Sequence, residues 1–392
     1  MNIVGITAEY NPFHQGHAWH LAQARRLTGA DRAIVVMSGN YVQRGAPAMF
    51  DKYLRARAAL LHGADLVLEL PPDVATGSAE YFASGAVRLL LQTGIVTDLC
   101  FGSECNDLKA LQKPAQILSE EPADYRAYLQ EALRQGKSYP EARAQALQQY
   151  DPSLPPALLA SPNDLLGIEY LKALHRHKSG IRVLTVPREG ASYHDRRMDQ
   201  QTAASASGIR QALIRSRGHF TPEVLAQLPS PALYRPQEGR IPVTEDAFSL
   251  LLLERLLRAP GEPLEQYFGV TPELANRIRN HLDDFRSFSQ FTDLIKTRNL
   301  TRTAVSRALL HILLNIKDCQ PAGCFRVLGF RREAAALLKE LARRGSLPLV
   351  TSPQDEALPE HWLHADRLYE SVRSLLHGTP FQNECRRKML VI

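Results

Sequence analysis

The chain has 392 residues, of which 44% are apolar and 22% are charged, and its formal net charge is +6. This composition is that of a soluble globular protein, and the length predicts two domains or three. No apolar run approaches the roughly 20 residues of a membrane-spanning helix, and the N-terminus lacks the basic start of a signal peptide. We therefore expect a cytoplasmic protein without a membrane segment.

The cysteines predict neither a disulfide framework nor a zinc site. There are five of them, an odd number, and their spacing matches no usual zinc pair. We expect reduced, mostly buried thiols at Cys100, Cys105, Cys319, Cys324 and Cys385, and we predict no protein-bound metal site.

Short β-branched runs alternate with amphipathic segments over the first two hundred residues. Strands are predicted at 2–10, 32–39, 64–70, 97–103 and 181–187, and helices at 15–28, 51–62, 78–93 and 164–178. This alternation is typical of a doubly wound α/β domain, in which helices connect the strands of a parallel sheet. The segment from Asp107 to Pro162 has a helical pattern and no strand, so we predict a helical insertion there.

The second part of the chain is predicted to be mostly helical. A proline-punctuated linker follows Ile214, then come several amphipathic segments, and "SLPLVTS" is one candidate strand. We predict domains at 1–220 and 221–392. Between Ala275 and Val350 there are 14 lysines and arginines against six acidic residues. This excess fits a phosphate-rich partner, and the alternative is a solvated basic face.

The stretch "EYNPFHQGH" lies where the first predicted strand passes into the first helix. Ligands of open α/β sheets bind beyond the carboxyl ends of the strands, where helix N-termini attract phosphate. His14 and His17 are three residues apart, so both imidazoles lie on one face of the first helical turn. Gly16 lets a nucleotide approach the backbone. The stretch therefore predicts a phosphate site.

In this position "HQGH" resembles the H-x-G-H signature of nucleotidyltransferases and class I aminoacyl-tRNA synthetases. More narrowly, "GITAEYNPFHQGHAWHL", "MSGNYVQRGAPAMFDKYLRA", "FGSE", "SPNDLLGIEYLKAL" and "VPREGASYHD" resemble the tRNA(Met) cytidine acetate ligase family. The likeness continues through "IKTRNLTRTAVSRALLHILL" and "FRVLGF", so it covers nearly the whole chain. It implies a HIGH-type nucleotidyltransferase fold with a mostly α-helical C-terminal domain. It also implies activation of acetate by ATP and acetylation of N4 of the wobble cytidine in elongator tRNA(Met), which forms N4-acetylcytidine.

The resemblance also implies an ATP site. Its residues are the loop Thr7, Ala8, Glu9, Tyr10, Asn11, Pro12, Phe13, His14, Gln15, Gly16, His17, Ala18, Trp19 and His20, together with Gly102, Asn163, Arg188 and Glu189. Gly102 follows the fourth predicted strand and Arg188 the fifth, so both are expected at the same sheet edge as the histidine loop. "SASGIRQAL" resembles a second phosphate loop, with Ser207 as the expected N-cap and Arg210 as a triphosphate contact. The lysine of many such loops is absent here.

The chemistry of acetate activation predicts the roles of these groups. Attack on the α-phosphate develops negative charge on the phosphoryl oxygens and on the leaving pyrophosphate. We expect His14 and His17 to stabilise that charge as the catalytic residues, with Arg188 and Arg210 holding the triphosphate. Mg²⁺ is the expected ion. For the second step the sequence identifies no base.

Two further groups of charged residues allow more than one interpretation. Lys296, Arg298, Arg302 and Arg307 have no acidic residue between them. They are predicted to contact tRNA, with Lys296, Arg298 and Arg302 on one side of a helix, and the alternative is a solvated face. Asp51, Lys52 and Arg55 open the helix after the second strand. They either lie at the mouth of the site or form ordinary charge pairs.

Two other functions share these sequence features. A small-molecule adenylyltransferase of cofactor biosynthesis has H-x-G-H and the same fold, but it does not need a basic helical domain. A non-catalytic RNA-binding or assembly protein on this scaffold does not need intact histidines. The sequence gives no prediction of the oligomeric state.

Overall fold

The computed structural model of the protein describes residues 1–188, 205–258 and 261–392. Glu189 therefore lies outside the described residues. The first part of the chain contains β1 (Ile3–Ala8), α1 (Gln15–Thr28), β2 (Arg32–Ser38), β3 (Tyr41–Val42), β4 (Ala46–Pro47), α2 (Lys52–Leu61), β5 (Leu66–Leu70), α3 (Pro72–Ala75), α4 (Ala79–Gln92), β6 (Asp98–Ser103), α5 (Leu108–Glu120), α6 (Ala123–Arg134), α7 (Tyr139–Tyr150), α8 (Pro162–Arg176) and β7 (Arg182–Pro187).

The second part begins with α9 (Ala206–Arg215), α10 (Pro222–Gln227), α11 (Pro231–Tyr234), α12 (Ser249–Leu257), α13 (Pro272–Asn280), α14 (Phe288–Ile295) and α15 (Arg302–Leu314). It ends with β8 (Phe325–Phe330), α16 (Ala335–Arg344), β9 (Leu349–Val350), α17 (Glu360–His377) and β10 (Leu390–Val391). The five strands and four helices predicted before residue 188 are confirmed, and α5 to α7 confirm the helical insertion. The strand in "SLPLVTS" is β9.

The main sheet has the strand order β10-β8-β5-β2-β1-β6-β7, with β9 paired to β8. The central pairs are parallel, and Ile3 of β1 lies opposite Arg32 of β2. Successive side chains of β2 alternate between the two faces of the sheet. Ile34 and Val36 pack in the core with α4 and α8, whereas Val35 and Met37 pack in the core with α1 and α2. The predicted doubly wound α/β architecture is confirmed.

Three strands of the sheet, β8, β9 and β10, come from the part predicted to be mostly helical. β8 pairs antiparallel with β5, and Leu66 lies opposite Phe330, so the sheet is mixed. The division into domains at residue 220 stays a prediction, but the sheet takes strands from both sides of that position. A separate apolar core unites α12 to α15 with α17 and includes Tyr41 of β3. Among the described residues, no helix has the length and hydrophobicity that a membrane crossing requires.

Candidate active site

A cavity of about 720 Å³ opens at the carboxyl ends of β1, β6 and β7. This is the sheet edge at which the sequence analysis places the site. The predicted ATP-site residues that line it are Thr7, Ala8, Glu9, Tyr10, Asn11, His14, Gln15, Gly16, His17, Trp19, His20, Gly102, Asn163, Arg188 and Arg210. Pro12, Phe13, Ala18 and Ser207 do not line it. The ring of Phe13 packs instead against Tyr10 and His62.

The loop between β1 and α1 is held by groups from other elements. Asn11 Oδ1 accepts a hydrogen bond from the backbone N–H of Met49 at 2.9 Å. The buried guanidinium of Arg55 donates to the carbonyl of Glu9 at 2.6 Å and to that of Ser38 at 3.1 Å. Arg55 thus joins the ends of β1 and β2. Arg55 supports the loop from outside the cavity, since it is not one of the residues that line it.

The two histidines of the loop form the N-terminal cap of α1. His14 is the N-cap, and its Nδ1 accepts a hydrogen bond from the N–H of Gly16 at 3.1 Å. Nδ1 of His17 accepts one from the N–H of His14 at 3.3 Å. A neutral imidazole whose Nδ1 accepts carries its proton on Nε2. The cap therefore selects the tautomer in which both histidines have an Nε2–H donor for a ligand.

The same arrangement keeps both rings uncharged. Their centroids are 3.8 Å apart. Burial lowers the pKa of His14 to about 3, with smaller effects from the charges of Arg188 and Arg210. Burial, followed by the charge of His14, holds the pKa of His17 well below its ordinary value. At neutral pH the pair therefore offers two hydrogen-bond donors, and the positive charge of the site comes from arginines.

A neutral buried His14 makes folding pH-dependent. Because its folded pKa lies below the ordinary value of 6.5, the unfolded chain binds more protons below pH 6.5, and acid favours unfolding. We expect His14 to reduce the free energy of unfolding by about 2 kcal/mol between pH 7 and pH 5. His14→Asn keeps a cap acceptor but cannot titrate there. Urea unfolding of the ligand-free wild type should depend on pH more steeply than that of the variant, and equal slopes would contradict the assignment.

Arg188 is held in the cavity wall by a chain of polar contacts. Its Nη1 donates to Asn163 Oδ1 at 3.1 Å, and the amide of Asn163 donates to Glu104. The backbone N–H of Asp164, at the start of α8, donates to the other carboxylate oxygen of Glu104 at 3.0 Å. A methyl group on Gly102 would lie 3.5 Å from Arg188 Cγ, in ordinary contact. The structure therefore brings Gly102, Asn163 and Arg188 together, as the sequence predicted.

Arg210 also reaches the histidine loop. Its guanidinium donates to the carbonyl of Asn11 at 2.6 Å and to Oγ of Ser207 at 3.1 Å. Burial lowers its pKa to about 10, so it remains charged at neutral pH. The prediction that Ser207 caps the helix is wrong. Ser205 is the N-cap and accepts from the N–H of Gly208 at 3.2 Å, because the helix begins two residues earlier than predicted.

The basic segment 296–307 is not one continuous helix, so the predicted arrangement of its cations is wrong. Lys296 ends α14, Arg298 lies in the connecting turn, and α15 begins only at Arg302, after the N-cap Thr301. Lys296 and Arg302 both pair with Asp293, and Arg302 also pairs with Glu245. The side chain of Arg307 lines the cavity.

Several residues of the cavity wall escaped the sequence analysis. Gln43 and Arg44 lie in the turn between β3 and β4, in the segment that follows β2. Their position beyond the end of a predicted strand was a usable signal that was not applied. Six others stand beside predicted site residues in the chain: Phe101, Pro162, Val186, Pro187, Ser205 and Ala206. Ala79, Phe82, Leu166, Tyr170 and Thr303 carry no local signal, because distant segments bring them to the cavity. Arg307, by contrast, was among the residues predicted to contact tRNA. Tyr170 forms a hydrogen bond of 2.5 Å with Thr7.

Comparisons with known proteins agree with this geometry. The HIGH nucleotidyl transferase family matches residues 1–384. A tRNA(Met) cytidine acetate ligase of Acetivibrio thermocellus is 40% identical over 370 residues, which cover 91% of this chain and 89% of the relative. One from Halothermothrix orenii is 36% identical over 417 residues, which cover 100% of this chain and 99% of that protein.

Two crystal structures of Thermotoga maritima TmcAL have the same fold. The apo form I matches with a TM-score of 0.88 and 31% identity, and the form bound with alpha-thio ATP matches with 0.86 and 31%. Each match covers all of both chains. The protein thus belongs to the HIGH nucleotidyl transferase family and, within it, to the family of tRNA(Met) cytidine acetate ligases.

Proposed function

We propose that the protein uses ATP to convert acetate to acetyl-adenylate and then acetylates N4 of the wobble cytidine in elongator tRNA(Met). The observation that carries this proposal is the cavity in which two neutral histidine donors and two arginines surround one helix N-terminus. Oxygen-rich, negatively charged groups suit such a site. The alpha-thio ATP bound by the structural relative and the names of the curated relatives support the assignment. A tRNA substrate implies action in the cytoplasm.

In the first step an acetate oxygen attacks the α-phosphorus, and the bond to the bridging oxygen of the β-phosphate breaks. Nε2–H of His14 and of His17 donates to the α-phosphoryl oxygens as their charge grows. Arg188 and Arg210 hold the triphosphate and receive the charge that develops on pyrophosphate. No covalent enzyme intermediate is needed, because positioning and charge stabilisation account for most catalysis of phosphoryl transfer.

Mg²⁺ fits this site as an ion carried mainly by the phosphates. Among the described residues no group of three or more His, Cys, Asp or Glu could hold a metal. Glu9 is the only carboxylate among the described residues that line the cavity. Mg²⁺ commonly binds through one or two carboxylates together with substrate phosphates. Glu9 would then hold the ion, which would neutralise phosphate charge.

In the second step the N4 amine of cytidine attacks the acetyl carbonyl, AMP leaves, and the amine loses a proton. The mixed anhydride is already activated, so orientation of the nucleotide is the main requirement. Lys296, Arg298 and Arg302 lie at the exposed turn before α15 and would contact the RNA backbone. Their positive charges suit phosphates that follow the surface outside the cavity.

A single incubation tests the proposed function. The protein is mixed with ATP and labelled acetate, with and without total tRNA, and both the label in tRNA and the released pyrophosphate are measured. Label in tRNA that depends on ATP supports the ligase. Turnover of ATP with another acceptor and none with acetate would identify an adenylyltransferase instead. No ATP turnover at all would point to a non-catalytic scaffold.

The RNA surface makes its own prediction. Replacing both Arg298 and Arg302 with alanine should weaken tRNA binding and reduce the slope of log K against log salt by roughly 1.5, since each lost contact to single-stranded RNA removes about 0.7. Arg258→Ala is a matched control, because Arg258 is exposed and pairs only with Glu254 among the described residues. Filter binding at several salt concentrations measures both quantities. Unchanged tRNA affinity in the double variant would remove this turn from the RNA surface.

A further inference from the structure

The helical part of the chain contributes one cation to the ATP cavity. Arg307 lies in α15, and its side chain lines the same cavity as His14, His17 and Arg210. Thr303 lies one turn earlier on the same face of the helix and also lines the cavity. One wall of the site therefore comes from a segment more than two hundred residues away from the histidine loop.

Two contacts fix α15 on either side of Arg307. Ser306 Oγ donates to the carbonyl of Gly45 at 2.9 Å. One turn after Arg307, Nε2 of the buried His311 lies 3.0 Å from Oγ1 of Thr76. Gly45 has a φ of +74°, and a Cβ there would lie 2.3 Å from the backbone nitrogen of Arg307. The helix thus packs directly on the hairpin after β2, so the base of the Arg307 side chain is rigidly placed.

The guanidinium of Arg307 has no anionic partner among residues 1–188, 205–258 and 261–392. Among the described residues it forms no hydrogen bond or ion pair, and burial lowers its pKa. By contrast, Arg302 on the same helix pairs with Glu245 and Asp293. A half-buried charge without a partner is costly unless a ligand supplies one. The cavity wall also contains Arg44 and Arg210, so its charge is complementary to a polyanion.

The position of Arg307 favours the outer phosphates of ATP. Arg210 donates to the carbonyl of Asn11 and Arg188 to Asn163, whereas Arg307 enters the cavity from α15, which packs on the hairpin after β2. Arg307 therefore reaches the cavity from a different wall than the groups expected to meet the α-phosphate. It also lies within the cavity, while Arg298 and Arg302 are exposed outside it. To reach Arg307, a phosphate of bound RNA would have to enter the cavity, in the space proposed for the triphosphate of ATP.

We propose that Arg307 binds the β- and γ-phosphates of ATP, so that the helical part of the chain completes the nucleotide site and holds the leaving pyrophosphate. This inference rests on the proposed ATP-dependent function. The planar guanidinium of Arg307 suits bidentate contact with phosphate oxygens, which a lysine ammonium cannot reproduce.

Equilibrium binding of ATP and of AMP, measured by isothermal titration calorimetry, tests the proposal. Arg307→Ala should weaken ATP binding by about tenfold to a hundredfold, because charged hydrogen bonds are worth that much. AMP binding should change by less than about twofold, since AMP lacks the outer phosphates. Arg307→Lys should fall between the wild type and Arg307→Ala. The control Arg258→Ala, at an exposed ion pair, should bind both nucleotides normally.

Each other result is decisive. Unchanged ATP affinity in Arg307→Ala would overturn the proposal, and unchanged ATP affinity with weaker tRNA binding would make Arg307 an RNA contact. Equal loss of ATP and AMP affinity would show a general disturbance of the cavity and would also overturn it. If Arg307→Ala fails to fold, Arg307→Lys carries the test through the same ratio of ATP to AMP affinity. Failure of the wild type to bind ATP would instead refute the proposed function itself, and the inference with it.

Discussion

Replacing His17 with alanine should slow acetate-dependent exchange between ATP and pyrophosphate by about a hundredfold to a thousandfold, the usual effect of removing one preorganised donor at a developing charge. The reason lies in the cap of α1. Nδ1 of His17 is already occupied by the N–H of His14, so its proton sits on Nε2 and is available to an α-phosphoryl oxygen. Alanine removes that donor, together with the acceptor that Nδ1 offers to the N–H of His14.

The loss should fall mainly on kcat, because the donor is needed most when charge has developed on the phosphate. His17→Gln restores an N–H near the position of Nε2 and should recover part of the rate. His175→Ala is the matched control, since His175 is half exposed and lies 3.8 Å from Glu120, far from the loop in the chain. Normal exchange by His17→Ala would show that His17 is not a catalytic residue.

The local parts of this site were predictable from the sequence because each depends on neighbouring residues. β1 ends at Ala8 and α1 begins at Gln15, so the pattern of an apolar strand followed by "NPFHQGH" was sufficient to place both histidines. Gly102 and Arg188 were found in the same way, since each follows a strand of the same parallel sheet. In such a sheet, the position along the strand determines the edge at which a residue lies.

The contributions of distant segments could not be predicted in this way. The apolar run "FRVLGF" is too short to distinguish a strand from a buried helix segment by periodicity, and its partner β5 lies far earlier in the chain. Arg307 was grouped with Lys296 and Arg302 because they are close in the sequence. In the structure a turn precedes α15, so Lys296 and Arg302 lie at the exposed turn while Arg307 lines the cavity. Ser205 and Ser207 are equally good caps by composition. The structure shows that Ser205 is the cap, and nothing in the composition of the segment distinguishes the two.

A buried cluster of charged residues connects the first and last parts of the chain. Nζ of Lys52, the first residue of α2, lies 2.6 Å from Asp366 Oδ2 and 3.0 Å from a carboxylate oxygen of both Glu69 and Glu384. Arg326 of β8 contacts the same three carboxylates at 2.6 to 3.1 Å. Of the two interpretations of this region, ordinary charge pairing is correct for Lys52, which does not line the cavity.

The cluster holds β8 and α17 against α2 and β5. Lys52 is completely buried. Burial by itself would lower its pKa, but the attraction of Asp366, Glu384 and Glu69 outweighs that effect and raises the pKa above its ordinary value. Lys52 is therefore charged at neutral pH. Without Lys52, three buried carboxylates face only the guanidinium of Arg326. Removing one partner of a buried charge cluster is strongly destabilising, because buried charge is left without compensation.

Lys52→Met should accordingly reduce the free energy of unfolding by about 3 to 5 kcal/mol, measured by urea denaturation at pH 7. Lys113→Met is the matched control, because Lys113 is 58% exposed and pairs with Asp151 at 2.8 Å, and exposed pairs contribute about 1 kcal/mol or less. The loss of unfolding free energy in Lys52→Met should become smaller as the pH falls towards 5, because a carboxylate left without its cation has a raised pKa and binds a proton in the folded state. A loss below about 1 kcal/mol would show that Arg326 alone satisfies the three carboxylates, and a loss that grows in acid would contradict the raised carboxylate pKa values.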